Sequence, residues 1–187
     1  MARLLTLAHI SDVHMGPLPA FSPRHWNVKR TLGYINWQRK RRHVHRPETL
    51  ARLVGDLLAQ RPDHIAVTGD LVNIALPGEY EAARAWLESL GAPDRVSAIP
   101  GNHDIYTALR GDPGVARWNA FMTSGASGVA LGGASEPGRF PYVRGIGEGV
   151  VIVGVNSAVP TRPFVASGEV GQRQLADLDR VLDLCAR

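Results

Sequence analysis

Three groups of polar residues have side chains that are suited to binding a metal ion. They are Asp12 with His14, Asp70 with Asn73, and the run Asn102-His103-Asp104. Together they offer carboxylate oxygen, imidazole nitrogen and amide oxygen, a ligand set that suits Mn²⁺, Fe or Zn²⁺. Because the groups lie far apart in the sequence, a metal site requires a fold that brings them together.

A site of this kind would hydrolyse a phosphate ester. Two cations about 3.5–4 Å apart hold a phosphate oxygen and activate a water for in-line attack, and Asp70 could bridge them. His103 would protonate the leaving oxygen, and Asp104 would orient the His103 ring. The residue types leave a simpler alternative open, since each group taken alone is also typical of a turn or a helix cap.

The elements that would position these residues follow the pattern of an α/β fold. Strands are predicted over Leu4–Ile10, His64–Thr68 and Arg95–Ile99, and amphipathic helices over Glu48–Gln60 and Glu79–Leu90. This alternation favours a parallel sheet. Because ligands bind where the carboxyl ends of parallel strands meet, the three polar groups are expected to converge at that edge.

The chain after Asp104 is less regular and is rich in glycine. A helix is expected near Val115–Thr123, a hairpin from Phe140–Arg144 and Val150–Val155, and a helix over Gly171–Arg187. Residues 1–187 are expected to form one domain.

The composition excludes several classes of protein. With 44% hydrophobic and 20% charged residues, the chain is neither disordered nor fibrous. No stretch approaches the roughly 18 apolar residues of a membrane span. The single cysteine, Cys185, excludes an internal disulfide and a cysteine-based zinc site, and it fits a reducing compartment. A cytoplasmic location is therefore expected.

The net charge of +4 comes from one segment, residues 21–46. Eight basic residues and no acidic residue lie between Arg24 and Arg46, so the rest of the chain is net acidic. Trp26, Tyr34 and Trp37 are interleaved with these charges. Such a segment suits an anionic membrane surface or nucleic acid, and the alternative is a solvated lid whose aromatic side chains pack on the core.

Three motifs resemble the first three motifs of the calcineurin-like metallophosphoesterases. They are Ser11-Asp12-Val13-His14, Thr68-Gly69-Asp70-Leu71-Val72-Asn73 and Pro100-Gly101-Asn102-His103-Asp104. The resemblance implies a metallophosphoesterase-like β-sandwich flanked by helices (αββα). It also implies a two-metal hydrolase that acts on phosphomonoesters, phosphodiesters or phosphoanhydrides.

The resemblance assigns a role to each residue of these motifs. Asp12 and His14 would bind the first cation, and Asp70 would bridge the two cations. Asn102 would bind the second cation, and His103 would be the acid that assists the leaving group. Asn73, Arg39, Arg41 and Arg42 are further candidates for binding the substrate.

The chain departs from the family pattern after His103, because no further histidine follows. The family supplies its remaining ligands from a later histidine and a Gly-His-x-His loop. The helix Gly171–Arg187 resembles the element before the fourth motif, so the chain is expected to be the N-terminal part of a longer enzyme, with a fold incomplete at the C-terminus. The missing part or a partner chain would then complete the site.

Histidines elsewhere in the chain are an alternative source of the missing ligands. The candidates are His9, His25, His43, His45 and His64. His9 and His64 lie within strand patterns, which favours packing or capping roles for them.

The insert carries a resemblance of its own. The segment Thr31–Trp37, followed by Arg39–Arg42, is similar to the insert of metallophosphoesterases that hydrolyse the nucleotide diphosphate of lipid A precursors. This implies a phosphorylated substrate, nucleotide- or lipid-linked, and peripheral contact with an anionic membrane. A hypothesis of a different class is a catalytically incomplete fragment whose insert binds anionic lipid or nucleic acid.

Overall fold

The centre of the fold is a three-stranded parallel sheet, seen in a computed structural model that describes residues 4–20, 22–107 and 111–187. Strands β1 (Leu7–Ile10), β2 (His64–Thr68) and β3 (Val96–Ile99) lie in the order β1-β2-β3. Leu7 pairs with His64 and Ile65 with Val96. The predicted α/β class and parallel pairing are confirmed, although β1 and β3 are shorter than predicted.

A helical insert separates β1 from β2. A 3₁₀ turn (Pro23–His25) leads to α1 (Val28–Asn36), a π-helical segment (Trp37–Arg41) and α2 (Arg42–Val44). The first residue of the predicted insert, Phe21, lies outside the described residues.

Arg30 fixes this insert on the core. Its buried guanidinium donates hydrogen bonds to the carbonyls of His25, Ile74 and Ala75. Because Ile74 and Ala75 lie in the loop after β2, the insert is attached next to one of the predicted metal-binding motifs. This arrangement agrees with the alternative of a lid that packs on the core.

The helices that connect the strands pack apolar side chains in or against the core cluster of the parallel sheet. Helices α3 (Pro47–Ala59) and α4 (Pro77–Leu90) each begin with proline, which has no N–H to leave unpaired in the first turn. Both helices begin within two residues of the predicted positions. Leu87 and Leu90 of α4 pack in the core cluster that contains Ile65, and Leu50 of α3 packs against that cluster.

The second half of the described chain forms a smaller sheet and short helices. Strands β4 (Tyr142–Gly147) and β5 (Val150–Gly154) form the predicted antiparallel hairpin. The expected helix near Val115–Thr123 is a 3₁₀ helix (Gly114–Phe121), and α5 (Ala126–Ala130) and α6 (Gln172–Cys185) complete the chain. Among the described residues, no helix has both the length and the apolar character needed to cross a bilayer.

Arg144 joins the two sheets. Its buried guanidinium donates to the carbonyl of Val96 at 2.6 Å and to the carbonyls of Thr123 and Ala120 at 2.6 and 2.7 Å. Since Val96 belongs to β3, this one side chain docks the hairpin against the parallel sheet.

His64 makes the stability of the fold depend on pH. Its buried Nε2 lies 2.8 Å from Oγ of Ser97, and burial together with the charge of Arg144 lowers its pKa to about 4. Below about pH 6.5, His64 is protonated in the unfolded chain but stays neutral in the folded chain. The contribution of His64 to the free energy of unfolding is therefore complete above about pH 6.5 and decreases as the pH falls.

The free energy of unfolding of the wild type is expected to decrease when the pH is lowered from 7 to 5. In His64→Gln we expect this decrease to be about 1–2 kcal/mol smaller. Glutamine keeps a partner for Ser97 but does not titrate. Urea unfolding at both pH values measures the difference, with the exposed His43→Gln as control. An equal pH dependence in His64→Gln and the wild type would show that His64 is not responsible.

Candidate metal centre

The predicted polar groups meet at the carboxyl edge of the parallel sheet. Asp12 and His14 follow β1, Asp70 follows β2, and His103 follows β3. Backbone hydrogen bonds tie the first two loops together, since the N–H of Asp12 donates to the carbonyl of Gly69 and the N–H of His14 donates to that of Asp70. The convergence is the one expected from the sequence.

Three of the candidate ligands have a left-handed backbone conformation. The φ angle is 55° at Asp12, 39° at His14 and 54° at Asp70. Such conformations cost about 1–3 kcal/mol in residues other than glycine, and they concentrate at functional sites. At Gly101, an added Cβ would lie 2.5 Å from the backbone nitrogen of Asp70, so the loops after β2 and β3 approach more closely than a side chain would allow.

His14, Asp70 and His103 form the core of the centre. Among the described residues, they are a group whose potential ligand atoms all lie within 4.8 Å of one another. Nε2 of His14 is 3.7 Å from Oδ2 of Asp70. His103 was predicted only as a proton donor, whereas the structure places it among the potential ligands.

Backbone carbonyls orient both imidazoles. Nδ1 of His14 lies 3.1 Å from the carbonyl of Val72, and Nδ1 of His103 lies 2.6 Å from the carbonyl of Asn73. Because a carbonyl oxygen only accepts, each Nδ1 carries the proton and each Nε2 keeps its lone pair. This arrangement is typical of metal-binding histidines, whose second nitrogen donates to a carbonyl or a carboxylate.

The surroundings of the two imidazoles keep them neutral. Burial, Arg41 and His103 lower the pKa of His14 to about 3, and burial and Arg41 lower the pKa of His103. Metal ions bind neutral imidazole, so neither ring has to lose a proton first. Two neutral imidazoles and one carboxylate fit a divalent cation of the Mn²⁺, Fe or Zn²⁺ type.

Asp12 and Asn102 border this core. Asp12 is exposed, and its carboxylate does not belong to the compact group. Asn102 lies next to His103 and lines the cavity beside it. Both residues lie at the rim of the centre, and their predicted roles as metal ligands stay predictions.

His45 is the alternative histidine that the structure brings to the centre. Its ring centroid lies 4.8 Å from that of His14. Burial and Arg41 lower the pKa of His45, and Asp12 opposes this effect. Three other candidates have partners elsewhere: His9 contacts Thr68 at 2.7 Å, His64 contacts Ser97, and His43 accepts from Arg42.

Arg41 is the one predicted substrate-binding arginine that reaches the centre. Its Nη2 lies 2.8 Å from Nε2 of His103, and its Nη1 lies 3.3 Å from Nδ1 of His14. Arg39 and Arg42 are exposed, and Arg42 donates to Gln38 at 2.7 Å, so a substrate-binding role for these two residues stays a prediction. Neighbouring residues of a helix point in different directions, and here Arg41 faces the centre while Arg39 and Arg42 lie on the exposed surface of the insert.

Asn73 lies in the interior of the loop after β2, and its predicted contact with the substrate stays a prediction. Its side chain is 1% exposed, and its Nδ2 donates to the carbonyl of Met15 at 2.8 Å. Glu79 fixes the Asn73 backbone by accepting from its N–H at 2.6 Å. Asn73 therefore positions the centre, because its carbonyl orients the His103 ring.

Asp104 connects two loops and does not orient the His103 ring, contrary to the prediction. The side chain is fully buried, and its carboxylate accepts from the N–H groups of Leu71, Val72 and Gly101. Burial raises its pKa to about 7. The ring is oriented by Asn73 instead, because the Asp104 oxygens are occupied by the backbone of the loops after β2 and β3.

We expect Asp104→Asn to lower the free energy of unfolding by about 2 kcal/mol, because the amide group cannot accept all three backbone hydrogen bonds. Urea unfolding measures this loss, with the exposed Asp94→Asn as control. Unchanged stability combined with a shifted pH profile of hydrolysis would instead support a direct contact between Asp104 and the His103 ring.

Sequence reasoning missed three residues that shape the centre: Lys29, Glu79 and Tyr106. Tyr106 stacks on His103 with ring centroids 5.2 Å apart. It lies only three residues after His103, so its place in the motif loop was a usable signal. Lys29 and Glu79 lie on other elements. The N-cap residue three positions before Glu79 is a leucine, so the Ser/Thr that usually indicates a capping box is absent.

Comparisons with known proteins agree with this geometry. The family model for calcineurin-like phosphoesterase matches residues 5–178. The glycerophosphodiester phosphodiesterase GpdQ of Enterobacter lignolyticus is 37% identical over 100 residues, which cover 54% of this chain and 30% of the relative. A probable cyclic nucleotide phosphodiesterase of Synechococcus is 43% identical over 103 residues, which cover 55% and 32%. The matched region spans about a third of each relative.

Proposed function

Since the chain belongs to the calcineurin-like phosphoesterase family, we propose that it hydrolyses phosphodiesters with water at a centre of two divalent cations. The observation that carries the proposal is the group of His14, Asp70 and His103, in which the Nδ1 of each imidazole faces a backbone carbonyl and the potential ligand atoms lie within 4.8 Å of one another. A phosphodiester is favoured over other phosphate esters because both similar relatives are named as phosphodiesterases.

The proposed ligands follow the order of the motifs. Asp12 and His14 would hold one cation, Asn102 would hold the other, and Asp70 would contribute its carboxylate to the centre. The cations would neutralise the phosphate charge and lower the pKa of the attacking water. The contact between Nδ1 of His14 and the Val72 carbonyl directs Nε2 of His14 towards Asp70, so this ligand is oriented before a metal binds.

His103 and Arg41 are proposed to act on the substrate. The carbonyl of Asn73 holds the His103 ring so that Nε2 can give a proton to the leaving oxygen. Arg41 lies 2.8 Å from this nitrogen and supplies a fixed positive charge for a phosphate oxygen. An anionic phosphodiester next to both groups opposes the effect of Arg41 on the pKa of His103 and favours the protonated ring.

Hydrolysis of bis(para-nitrophenyl) phosphate by the protein from its whole natural reading frame tests the proposal. We expect hydrolysis to depend on added Mn²⁺, and Arg41→Met to lower kcat/KM by about 10- to 100-fold. Arg52→Met, an exposed position on α3, is the matched control. Hydrolysis that is absent with every divalent cation would overturn the proposal.

A second candidate function is favoured by the outer surface of the insert. Arg39, Lys40 and Arg42 are exposed there, and Val28 and Val44 are 74% and 70% exposed. We propose that this surface binds anionic lipid, because each basic side chain near such a surface contributes about 1 kcal/mol.

Co-sedimentation with phosphatidylglycerol vesicles tests lipid binding. The wild type is expected to bind these vesicles and not phosphatidylcholine vesicles, and replacement of Arg39, Lys40 and Arg42 by glutamine is expected to abolish binding. Arg52→Gln is the control. Equal binding by the wild type and the triple variant would reject this function, as would a preference for nucleic acid over the vesicles.

A further inference from the structure

A cavity of about 420 Å³ opens beside His103. Helix α1 of the insert, the loop after β3 and the segment 163–166 form its walls. Half of the lining residues are apolar, namely Leu32, Gly33, Pro163, Phe164, Val165 and Ala166. The other half carry polar or charged groups, namely Lys29, Asn36, Arg41, Asn102, His103 and Tyr106. The size is in the range of pockets that hold small organic molecules.

The ammonium group of Lys29 does not project freely into this cavity. Its Nζ donates to the carbonyl of Thr161 at 2.8 Å and lies 4.4 Å from the centre of the Tyr106 ring. The hydroxyl of Tyr106 in turn donates to the Lys29 carbonyl at 3.1 Å. Lys29 therefore connects three walls of the cavity. None of the described lining residues is acidic.

Two cavity residues are also residues of the catalytic centre. His103 and Arg41 both line the cavity on the side of the metal-binding group. A group that protonates a leaving oxygen must lie within about 3 Å of it. If His103 is that donor, the leaving alcohol begins at His103, and the open space next to the ring receives the rest of the alcohol.

We propose that this cavity is the leaving-group subsite and that it selects phosphodiesters whose leaving alcohol carries an apolar group. The inference rests on the proposed function, since it takes His103 as the proton donor. An apolar substituent would cover Leu32 and Val165 and remove them from water, which favours an apolar leaving group at this wall of the cavity.

Phe164 supports an apolar occupant. The residue is 93% exposed and has a φ angle of 64°, in the left-handed region that is unfavourable for an aromatic residue. It therefore holds a phenyl ring in solvent at the wall of the cavity. Strained residues of this kind concentrate at ligand-binding sites, and an apolar leaving group would cover the exposed ring.

Two substrates that differ only in the leaving group test the proposal. Methyl phenyl phosphate and methyl para-butylphenyl phosphate break the same kind of bond and release phenols of similar acidity. We expect kcat/KM of the Mn²⁺-loaded wild type to be about tenfold higher for the butylphenyl ester, because its alkyl group is removed from water. Leu32→Asn is expected to lower this ratio to about twofold.

The ratio within each protein is independent of metal loading and of the folded fraction. Leu53→Asn, on an exposed part of α3, is the matched control and should keep the tenfold ratio. A wild-type ratio near one, or an unchanged ratio in Leu32→Asn, would overturn the subsite.

Failure of the proposed function has a different signature, since neither ester would be hydrolysed. Saturation-transfer NMR with para-butylphenyl phosphate then tests the cavity alone. Binding that weakens about tenfold in Leu32→Asn would support an apolar subsite, and equal binding to both proteins would reject it.

Discussion

Asp70→Asn is expected to lower kcat/KM for bis(para-nitrophenyl) phosphate by roughly 10³-fold, which corresponds to several kcal/mol of lost charge stabilisation. Asp70 is the carboxylate of the compact group and lies 3.7 Å from Nε2 of His14. Its Oδ1 also accepts from the N–H of His103 at 2.8 Å, a hydrogen bond that the asparagine oxygen can keep. The variant therefore removes a negative charge and preserves the loop.

Steady-state kinetics with saturating Mn²⁺ measure this effect. Asp56→Asn, on the exposed side of α3, is the matched control and is expected to behave as the wild type. Circular dichroism separates loss of activity from loss of folding. A folded Asp70→Asn protein with kcat/KM within threefold of the wild type would show that Asp70 does not hold the catalytic cations.

The second large effect is expected for His103→Gln, and its size should depend on the leaving group. General acid catalysis contributes about 10²–10⁴-fold when the leaving group is a poor one. We expect a loss of about 10³-fold with methyl phenyl phosphate and a smaller loss, of about tenfold, with bis(para-nitrophenyl) phosphate. Nitrophenolate is a weak base, so it leaves without needing a proton.

Parallel kinetics with the two esters measure this difference. His43→Gln, in the exposed part of the insert, is the control. Equal losses with both esters would assign His103 to metal binding or to positioning. That outcome would agree with its place in the compact group but would remove its role as the acid.

Much of the fold could be predicted from the sequence because its signals are local. The run from His64 to Thr68 and the helical spacing of Leu50, Val54 and Leu57 lead directly to β2 and α3. The position of the site followed from a topological rule, since strands that pair in parallel present their following loops at one edge.

The rest of the site depends on contacts between distant parts of the chain. The orientation of the π-helical segment determines which arginine of the insert contacts His103. The amino-acid sequence alone does not predict this orientation. The prediction that Asp104 orients the His103 ring is wrong for a similar reason. Its neighbour in sequence is His103, but its hydrogen-bond partners Leu71 and Val72 lie in another loop.

The prediction that further ligands come from a missing part of the enzyme stays a prediction, as does the cytoplasmic location. The family match covers residues 5–178, while the curated relatives extend well beyond the matched region. Within the described residues, His45 is an additional imidazole beside His14, and its pKa is lowered by burial and by Arg41. Hydrolysis by His45→Gln would show whether this ring takes part.

We propose that a metal centre containing Asp70 carries out phosphodiester hydrolysis. Titration of Mn²⁺ into the metal-free wild type and into Asp70→Asn, with bound metal and hydrolysis measured in the same samples, tests this claim most directly. We predict that hydrolysis rises in proportion to bound Mn²⁺ in the wild type, and that Asp70→Asn binds less metal and stays inactive. Hydrolysis that does not change with bound metal, or that is equal in the two proteins, would contradict the claim.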